Sequence, residues 1–230
     1  MQPYLFPYIG YWQLINAVDR FVILDDVNYI MRGYINRNSI LINGASHKFT
    51  IPIEKASQNK LIMDSKLNFD EKAKEKFLLT ISNAYKKAPH YTKVMPMLEE
   101  IIYNEEKDLT KYIYKSLMDI SSYLEIDTIF YISSQIEKDN SLFAQDRIIE
   151  ICKKLNATEY INPCGGRKLY SCKDFEDEGM RLFFLDTKSE EIRYKQNMNE
   201  FVENLSIIDV MMHNDVHVIK QFLEEYELNN

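Results

Sequence analysis

Cysteine is scarce in this 230-residue chain: three residues, Cys152, Cys164 and Cys172, fall at spacings that match no metal-binding set. Disulfides are therefore not expected, and a reducing compartment fits. Uninterrupted hydrophobic runs are also lacking, so no membrane span is predicted. Positive charge is in deficit, with 28 Lys and Arg against 35 Asp and Glu for a net charge of −7, which gives a nucleic-acid partner little support. The N-terminus has no basic region followed by a plain apolar stretch and cleavage site, which predicts a cytoplasmic location. Internal repeats and low-complexity tracts are absent as well. What is present is an ordinary globular composition, 46% apolar and 27% charged, long enough for one large α/β domain with a sizeable core.

The opening run, MQPYLFPYIGYWQLINAVDRFVILDDV, sets Gln2, Pro3, Pro7 and Gly10 among aromatics. Two prolines rule out a regular helix from residue 2 to 8. The run predicts an extended lead-in, a tight loop at Pro7-Tyr8-Ile9-Gly10, a helix from about Tyr11 to Val18 and a strand at Phe21–Leu24. In that order they read as a first βαβ unit. A hairpin follows, with strands at Ser39–Ile42 and His47–Ile53 around Asn43-Gly44. Residues 60–67 are read as a further short strand. Asp70–Tyr85, Tyr91–Tyr103 and Leu109–Leu124 show apolar residues at three- and four-residue spacing and predict three amphipathic helices.

From residue 126 strands and helices alternate again. Strands are expected at Thr128–Ile132, Glu159–Ile161 and Met180–Leu185, with helices at Phe143–Leu155 and Lys173–Glu178. A terminal helix carries Val218, Phe222 and Tyr226 at four-residue steps. The expected fold is α/β: one domain over residues 1–230, a Rossmann-like parallel sheet with a β-hairpin and a helical insertion at about 70–125.

Four groups of residues are candidates for chemistry. Gly10 and Tyr11 open a helix whose free N–H groups suit a phosphate or carboxylate, although the plainer reading is a shaped turn. Asp25, Asp26, Asn28 and Tyr29, then Arg32, Asn36, Arg37 and Asn38, place a dense polar kit after a parallel strand, where ligands usually bind. Arginine forks there fit phosphates or carboxylates. Asn162-Pro163-Cys164-Gly165-Gly166-Arg167 has a glycine pair that permits an anion nest or close substrate approach, but not the spacing of a P-loop. Tyr194-Lys195-Gln196 and Ser206-x-x-Asp209 form the last group, in which Ser206 and Asp209 read as a structural helix cap. His213 and His217 lack a third ligand and read as surface or packing residues, the Met211-Met212 pair as core, and Cys164 as incidental.

Taken together, QPYLFPYIGYWQLI, FVILDDVNYIMRGYINRNSI with its NG turn, AYKKAPHY, NPCGG, YKQ and LSIIDVMMHN resemble the WbqC-like proteins, in order from residue 2 to about 214. Relatives carry several apolar residues ahead of the Gln-Pro, so a chain starting at Met1 is expected to have a truncated or very short first strand. The resemblance implies a role in surface-glycan gene clusters such as those for O-antigen, with a glycine-transferring role suggested for some members. By analogy the opening also looks like nucleotidyltransferase and pantothenate-synthetase folds, but Tyr8-Ile9-Gly10-Tyr11 stands where those carry histidines, so their adenylate chemistry does not carry over.

The leading expectation is a transferase in surface polysaccharide biosynthesis acting on a nucleotide- or lipid-linked sugar, by amide-forming amino-acid transfer or acyl transfer. Asp25, Asp26 and Arg37 are its expected catalytic residues; Gln2, Tyr8, Gly10, Tyr11, Asn28, Tyr29, Arg32, Asn36, Asn38, Gly165, Gly166 and Gln196 its expected substrate-binding residues. The partners are then a nucleotide or nucleotide-linked sugar and an amino-acid or acyl donor. No cofactor or metal is assigned. A non-catalytic nucleotide-sugar-binding module and a nucleotidyltransferase-like enzyme are the alternatives.

Overall fold

A computed structural model describes residues 1–196 and 200–230. Tyr8 keeps extended backbone angles (φ −70°, ψ 167°), and helix α1 spans Ile9–Asn16, two residues earlier than periodicity implies. Its start is fixed locally: the Tyr11 N–H donates to the Tyr8 carbonyl at 3.1 Å, and the Trp12 indole N–H to the Pro7 carbonyl at 3.2 Å. Strand β1, Arg20–Ile23, follows. The lead-in forms no strand of its own, and Met1 alone lies along β1.

Strands β2 (Arg37–Ile42) and β3 (Ala45–Thr50) form the expected antiparallel hairpin. Asn43 and Gly44 both take positive φ, 49° and 78°, as a two-residue turn matched to strand twist requires. Residues 60–67 do not make a strand. Ile62–Asp64 is a 3-10 turn between isolated bridges at Leu61 on one side and at Lys66 and Leu67 on the other; the three pair with different segments, so no ladder forms.

Helices α2 (Glu71–Tyr85), α3 (Tyr91–Tyr103) and α4 (Leu109–Leu124) match their periodicity. Asp70 and Asp108 cap α2 and α4, accepting from the N–H groups of Ala73 and Lys111. Their apolar stripes enter the same core as Trp12, Ile40 and Met211 rather than standing off as a separate layer.

Strand β4 (Ile129–Ile132) pairs in parallel with β1; α5 (Ala144–Lys154) leads to β5 (Glu159–Pro163). Helix α6 (Cys172–Glu176) is closed by Gly179 at φ +74° and precedes β6 (Arg181–Thr187), parallel to β5. Helices α7 (Ile207–His213) and α8 (Val216–Glu224) complete the helices. Tyr226 is not on the terminal helix: Tyr226–Asn229 is strand β7, antiparallel to β6, because edge pairing there satisfies backbone groups that a frayed helix end would leave open.

The architecture is mixed α/β. Among the described residues the parallel pairs β1-β4 and β5-β6 lie in different small sheets, beside the β2-β3 hairpin. Two apolar clusters correspond to this division: a large one around α1, the hairpin and α2–α4, and a smaller one of Ile148, Ile149, Cys152, Phe175, Met180, Leu182 and Phe184. No helix of the described residues is long and apolar enough to cross a membrane.

Candidate functional site

Strand β1 delivers Asp25 and Asp26 just past its C-terminal end, and their surroundings separate them. Asp25 is buried, and its two oxygens accept from Ser134, one from the backbone N–H at 2.9 Å and one from the hydroxyl at 2.7 Å. Burial raises its pKa against the lowering effect of those bonds. Asp26 stands 2.8 Å from the Lys138 ammonium and 3.8 Å from Arg147, whose guanidinium also donates to the Asp26 carbonyl. The carboxylate has no well-directed hydrogen bond, so this contact is ionic in character. Burial alone would raise the Asp26 pKa, but Lys138, Ser133 and Arg147 outweigh it and hold the carboxyl below its usual 3.8. Its stabilising charge is present above that value and lost as pH falls through the lower folded pKa. The stability difference between wild type and Asp26→Asn, read by urea unfolding at a series of pH values, is therefore expected to be full at neutral pH and to shrink as pH falls below 3.8.

The loop after β1 turns back on the opening run. The Leu5 N–H donates to the Ile35 carbonyl at 3.1 Å, and the Asn38 amide to the Phe6 carbonyl at 2.7 Å. Tyr29 donates its hydroxyl to Asn36 at 2.7 Å, and Asn36 in turn donates to the Ile51 carbonyl at 2.6 Å. Asn36 and Asn38 are thus buried and occupied by backbone groups. Arg37, between them on β2, points to the other face by strand alternation. It is half-buried, and its Nε is enclosed with no acceptor; among the described residues Arg37 makes no hydrogen bond or ion pair. It lies near enough to Tyr29 to oppose the rise that burial gives the Tyr29 pKa. Asn28 and Arg32 are exposed, Arg32 at φ 64°.

Aromatic side chains join this loop to the opening. The rings of Tyr4 and Tyr34 are 5.9 Å apart, those of Tyr4 and Tyr11 5.3 Å, and the Tyr11 hydroxyl donates to the Gln2 carbonyl at 2.8 Å. Burial raises the Tyr8 pKa, with further contributions from Cys164, Tyr4 and Tyr34, so the NPCGG loop also reaches this cluster. Gly10 does not open onto solvent: a Cβ there would stand 2.5 Å from the Tyr8 ring and 2.8 Å from the Thr187 hydroxyl. Its immediate role is to let Tyr8 and Thr187 close over the helix start.

The two loop glycines differ. Nothing lies within 4 Å of a Cβ built on Gly165, whereas one on Gly166 would meet the Asn162 amide at 1.7 Å. Gly166→Ala is expected to cost about 1–3 kcal/mol in urea unfolding and Gly165→Ala well under 1 kcal/mol. Beside them Arg167 pairs with Asp186 at the surface, and Cys164 lies against the same carboxylate. Cys152 is buried, which pushes its thiol up to about 11.

The fourth group is internal. Asp209 is fully buried and accepts from Tyr85 at 2.8 Å, Tyr194 at 2.7 Å and the Gln196 amide at 3.0 Å. Gln196 also donates to the Val202 carbonyl and accepts from the Val202 N–H. Ser206 caps α7 through the Ile208 N–H, but the Asp209 carboxylate faces the core instead of the helix start. His213 lies at the end of α7 and the exposed His217 on α8, so the four-residue interval does not place them on one helical face. Among the described residues no group of three His, Cys, Asp or Glu side chains is arranged to hold a metal.

The structure therefore brings together the opening aromatics, the loop carrying Tyr34 and Ile35, and the NPCGG loop, with Arg37 following at the start of β2. Asp25 and Asp26 have their own partners in the segment after β4 and on α5. Sequence reasoning missed Ser134, Lys138 and Arg147, which lie more than a hundred residues from the aspartates; the strand pairing that unites them has no local signal.

No solved structure matches the chain. The uncharacterized protein Rv1507c of Mycobacterium tuberculosis (strain ATCC 25618 / H37Rv) is 27% identical over 207 residues, covering 89% of this chain and 88% of that protein. The model of the WbqC-like protein family matches residues 2–221, and the chain belongs to that family.

Proposed function

We propose that this protein is a transferase of surface-polysaccharide assembly that binds an anionic, nucleotide- or lipid-linked sugar through Arg37 and transfers an amino-acid or acyl group to it. The observation that supports this most is the Arg37 guanidinium, half-buried with an enclosed Nε and no acceptor. An enclosed guanidinium N–H with no acceptor is costly, and a phosphate or carboxylate of the ligand would compensate it by a two-pronged hydrogen bond with the more open terminal nitrogens. Tyr4, Tyr8 and Tyr34 supply faces for a base or sugar ring, with Gln2, Tyr11, Asn28, Tyr29 and Arg32 around them. Gly10, Gly165, Gly166, Asn36, Asn38 and Gln196 shape the surrounding backbone. Asp25 is the proposed base that takes the proton of the sugar hydroxyl or amine as its oxygen or nitrogen bonds to the acyl carbon of an activated donor such as acyl-CoA, whose bond to sulfur breaks with the thiol group leaving; a carboxylate with a raised pKa is better matched to that task than the ion-paired Asp26.

The test is a thermal-shift screen of the whole chain against ATP, UDP-sugars, dTDP-sugars, acyl-CoA and free amino acids. A sugar nucleotide at 100 times its dissociation constant is expected to stabilise by roughly 2.7 kcal/mol, about 5–10 °C for a chain of this length. Asp25→Asn is expected to keep that shift and lose at least 100-fold in turnover with donor added. Absence of a shift with every sugar nucleotide overturns the proposal.

A second reading, a binding module without turnover, has one observation in its favour: both oxygens of Asp25 are already engaged by Ser134. Binding without product formation under any donor selects it.

A further inference from the structure

The loop at residues 27–36 carries apolar side chains at its most exposed point. Ile30, Met31 and Tyr34 are 50%, 47% and 58% exposed, and Arg32 between them is exposed at φ 64°. The stem below them is braced. Its two sides are joined by the Tyr29 hydroxyl bond to Asn36, Asn36 donates to the Ile51 carbonyl, and the Leu5 N–H donates to the Ile35 carbonyl. A tight turn closes the tip, where the Gly33 N–H donates to the Ile30 carbonyl at 3.2 Å. Ile30 and Met31 are therefore held out in solvent by a fixed projection. Single exposed apolar residues are ordinary, but three within five residues form a patch of the kind that marks a contact site. A further exposed ring, Phe143, stands where this loop begins: Arg147 lies 5.9 Å from it and donates to the Asp26 carbonyl at 2.8 Å.

Charge identifies the partner. Residues 27–68, which hold this loop, the hairpin and the segment after it, carry six Lys and Arg against two acidic residues, in a chain of net charge −7. Lys60 flanks the stem directly: its carbonyl accepts from the Tyr29 N–H at 2.8 Å, and Leu61 next to it bridges to Asn28. Lys55 is exposed in the same segment. A convex apolar tip ringed by cations fits a soft anionic surface that yields to it, and needs no complementary pocket.

We propose that this tip docks the protein peripherally on an anionic phospholipid surface. Ile30 and Met31 enter the boundary between headgroups and acyl chains, the Tyr34 ring lies at headgroup level, and Arg32, Lys55 and Lys60 face lipid phosphates. The rest of the chain is acidic and is repelled by the same surface, which fixes the orientation with the tip down. Because the Tyr34 ring is 5.9 Å from that of Tyr4, docking sets the opening aromatic cluster beside the headgroups. Docking of this kind does not depend on Arg37 holding a sugar phosphate.

Sedimentation of the whole chain with vesicles of phosphatidylethanolamine and phosphatidylglycerol, against vesicles of phosphatidylcholine alone, tests this. Binding is expected to favour the anionic vesicles at least about 10-fold and to weaken about 10-fold when salt rises from about 0.05 to about 0.5 M. Ile30→Ser combined with Met31→Ser is expected to weaken it about 10-fold, and Lys55→Gln with Lys60→Gln about 5-fold per lysine. Tm and the thermal shift given by a soluble sugar nucleotide are expected to stay at wild-type values in both variants. A retained shift with no vesicle binding overturns docking and leaves the transferase reading standing; vesicle binding with no shift does the reverse. Equal binding to both vesicle types, or full binding by the Ile30→Ser, Met31→Ser protein, also overturns the proposal. So does a concentration-dependent dimer that the same variant abolishes, since a second copy then covers the tip.

Discussion

Replacing Asp209 by alanine is expected to cost about 3–5 kcal/mol, the largest loss of stability from any single polar substitution considered in this chain. The carboxylate is wholly buried and accepts from three side chains: Tyr85 at the end of α2, 124 residues away, and Tyr194 and Gln196 in the segment before α7. Removing it leaves two hydroxyls and an amide N–H unpaired in the interior, each costing about 1–3 kcal/mol less whatever the site recovers by relaxing. The damage spreads through Tyr85, whose oxygen also accepts from the Leu41 N–H on β2. Burial and the nearby Asp209 charge raise the pKa of both tyrosines, so they stay protonated and donate throughout the working pH range. Tyr85→Phe removes one donor and is expected to cost about 1–2 kcal/mol, with an effect that does not add to that of Asp209→Ala. Urea unfolding with an unchanged m value is the measurement, and a loss under 1 kcal/mol for Asp209→Ala would show that the hub is not holding α2 and α7 together.

Arg37→Ala has the largest expected effect on ligand binding, a fall in affinity of about 100-fold for the anionic ligand. A charged, two-pronged hydrogen bond in a partly desolvated setting is worth about 1.5–3 kcal/mol. The same substitution is expected to leave the free protein as stable as wild type or more so, because it removes a cation whose enclosed Nε has no acceptor. That pairing of signs separates a binding residue from a structural one: loss of a structural arginine lowers stability, whereas loss of a binding arginine spares it. Arg37→Lys is expected to recover only part of the affinity, since an ammonium cannot reproduce the Nε fork. Calorimetric titration of the three proteins with the sugar nucleotide selected by thermal shift gives the affinities, and urea unfolding the stabilities.

Much of the fold was legible where the information is local. Asn43-Gly44 announces the hairpin because its two positive φ values admit few residue types, and Asp70 and Asp108 announce helices because capping is decided within three residues. Contacts across the chain were not legible. Ser206 and Asp209 have the spacing of a capping box, and only the arrival of Tyr85, 124 residues away in sequence, reveals that the carboxylate belongs to the core. Tyr226 continues the apolar period of α8, but β6 draws it into a strand. At the candidate site the same division holds. The polar stretch after β1 was visible as a cluster of side chains, while its sorting was not: Asn36 and Asn38 serve the backbone, Asp26 serves Lys138, and the Arg37 side chain has no partner among the described residues. Composition is the same for all of them; burial and pairing distinguish them.

We propose Arg37 as the anion-binding residue of a site formed by the opening run and the loop after β1. A crystal structure of the protein with the selected sugar nucleotide tests it most directly. A phosphate or carboxylate oxygen is expected within hydrogen-bond distance of the Arg37 guanidinium, Nε included, with a ring of the ligand against Tyr4, Tyr8 or Tyr34. A ligand bound elsewhere, with the Arg37 guanidinium still lacking an acceptor, would contradict it.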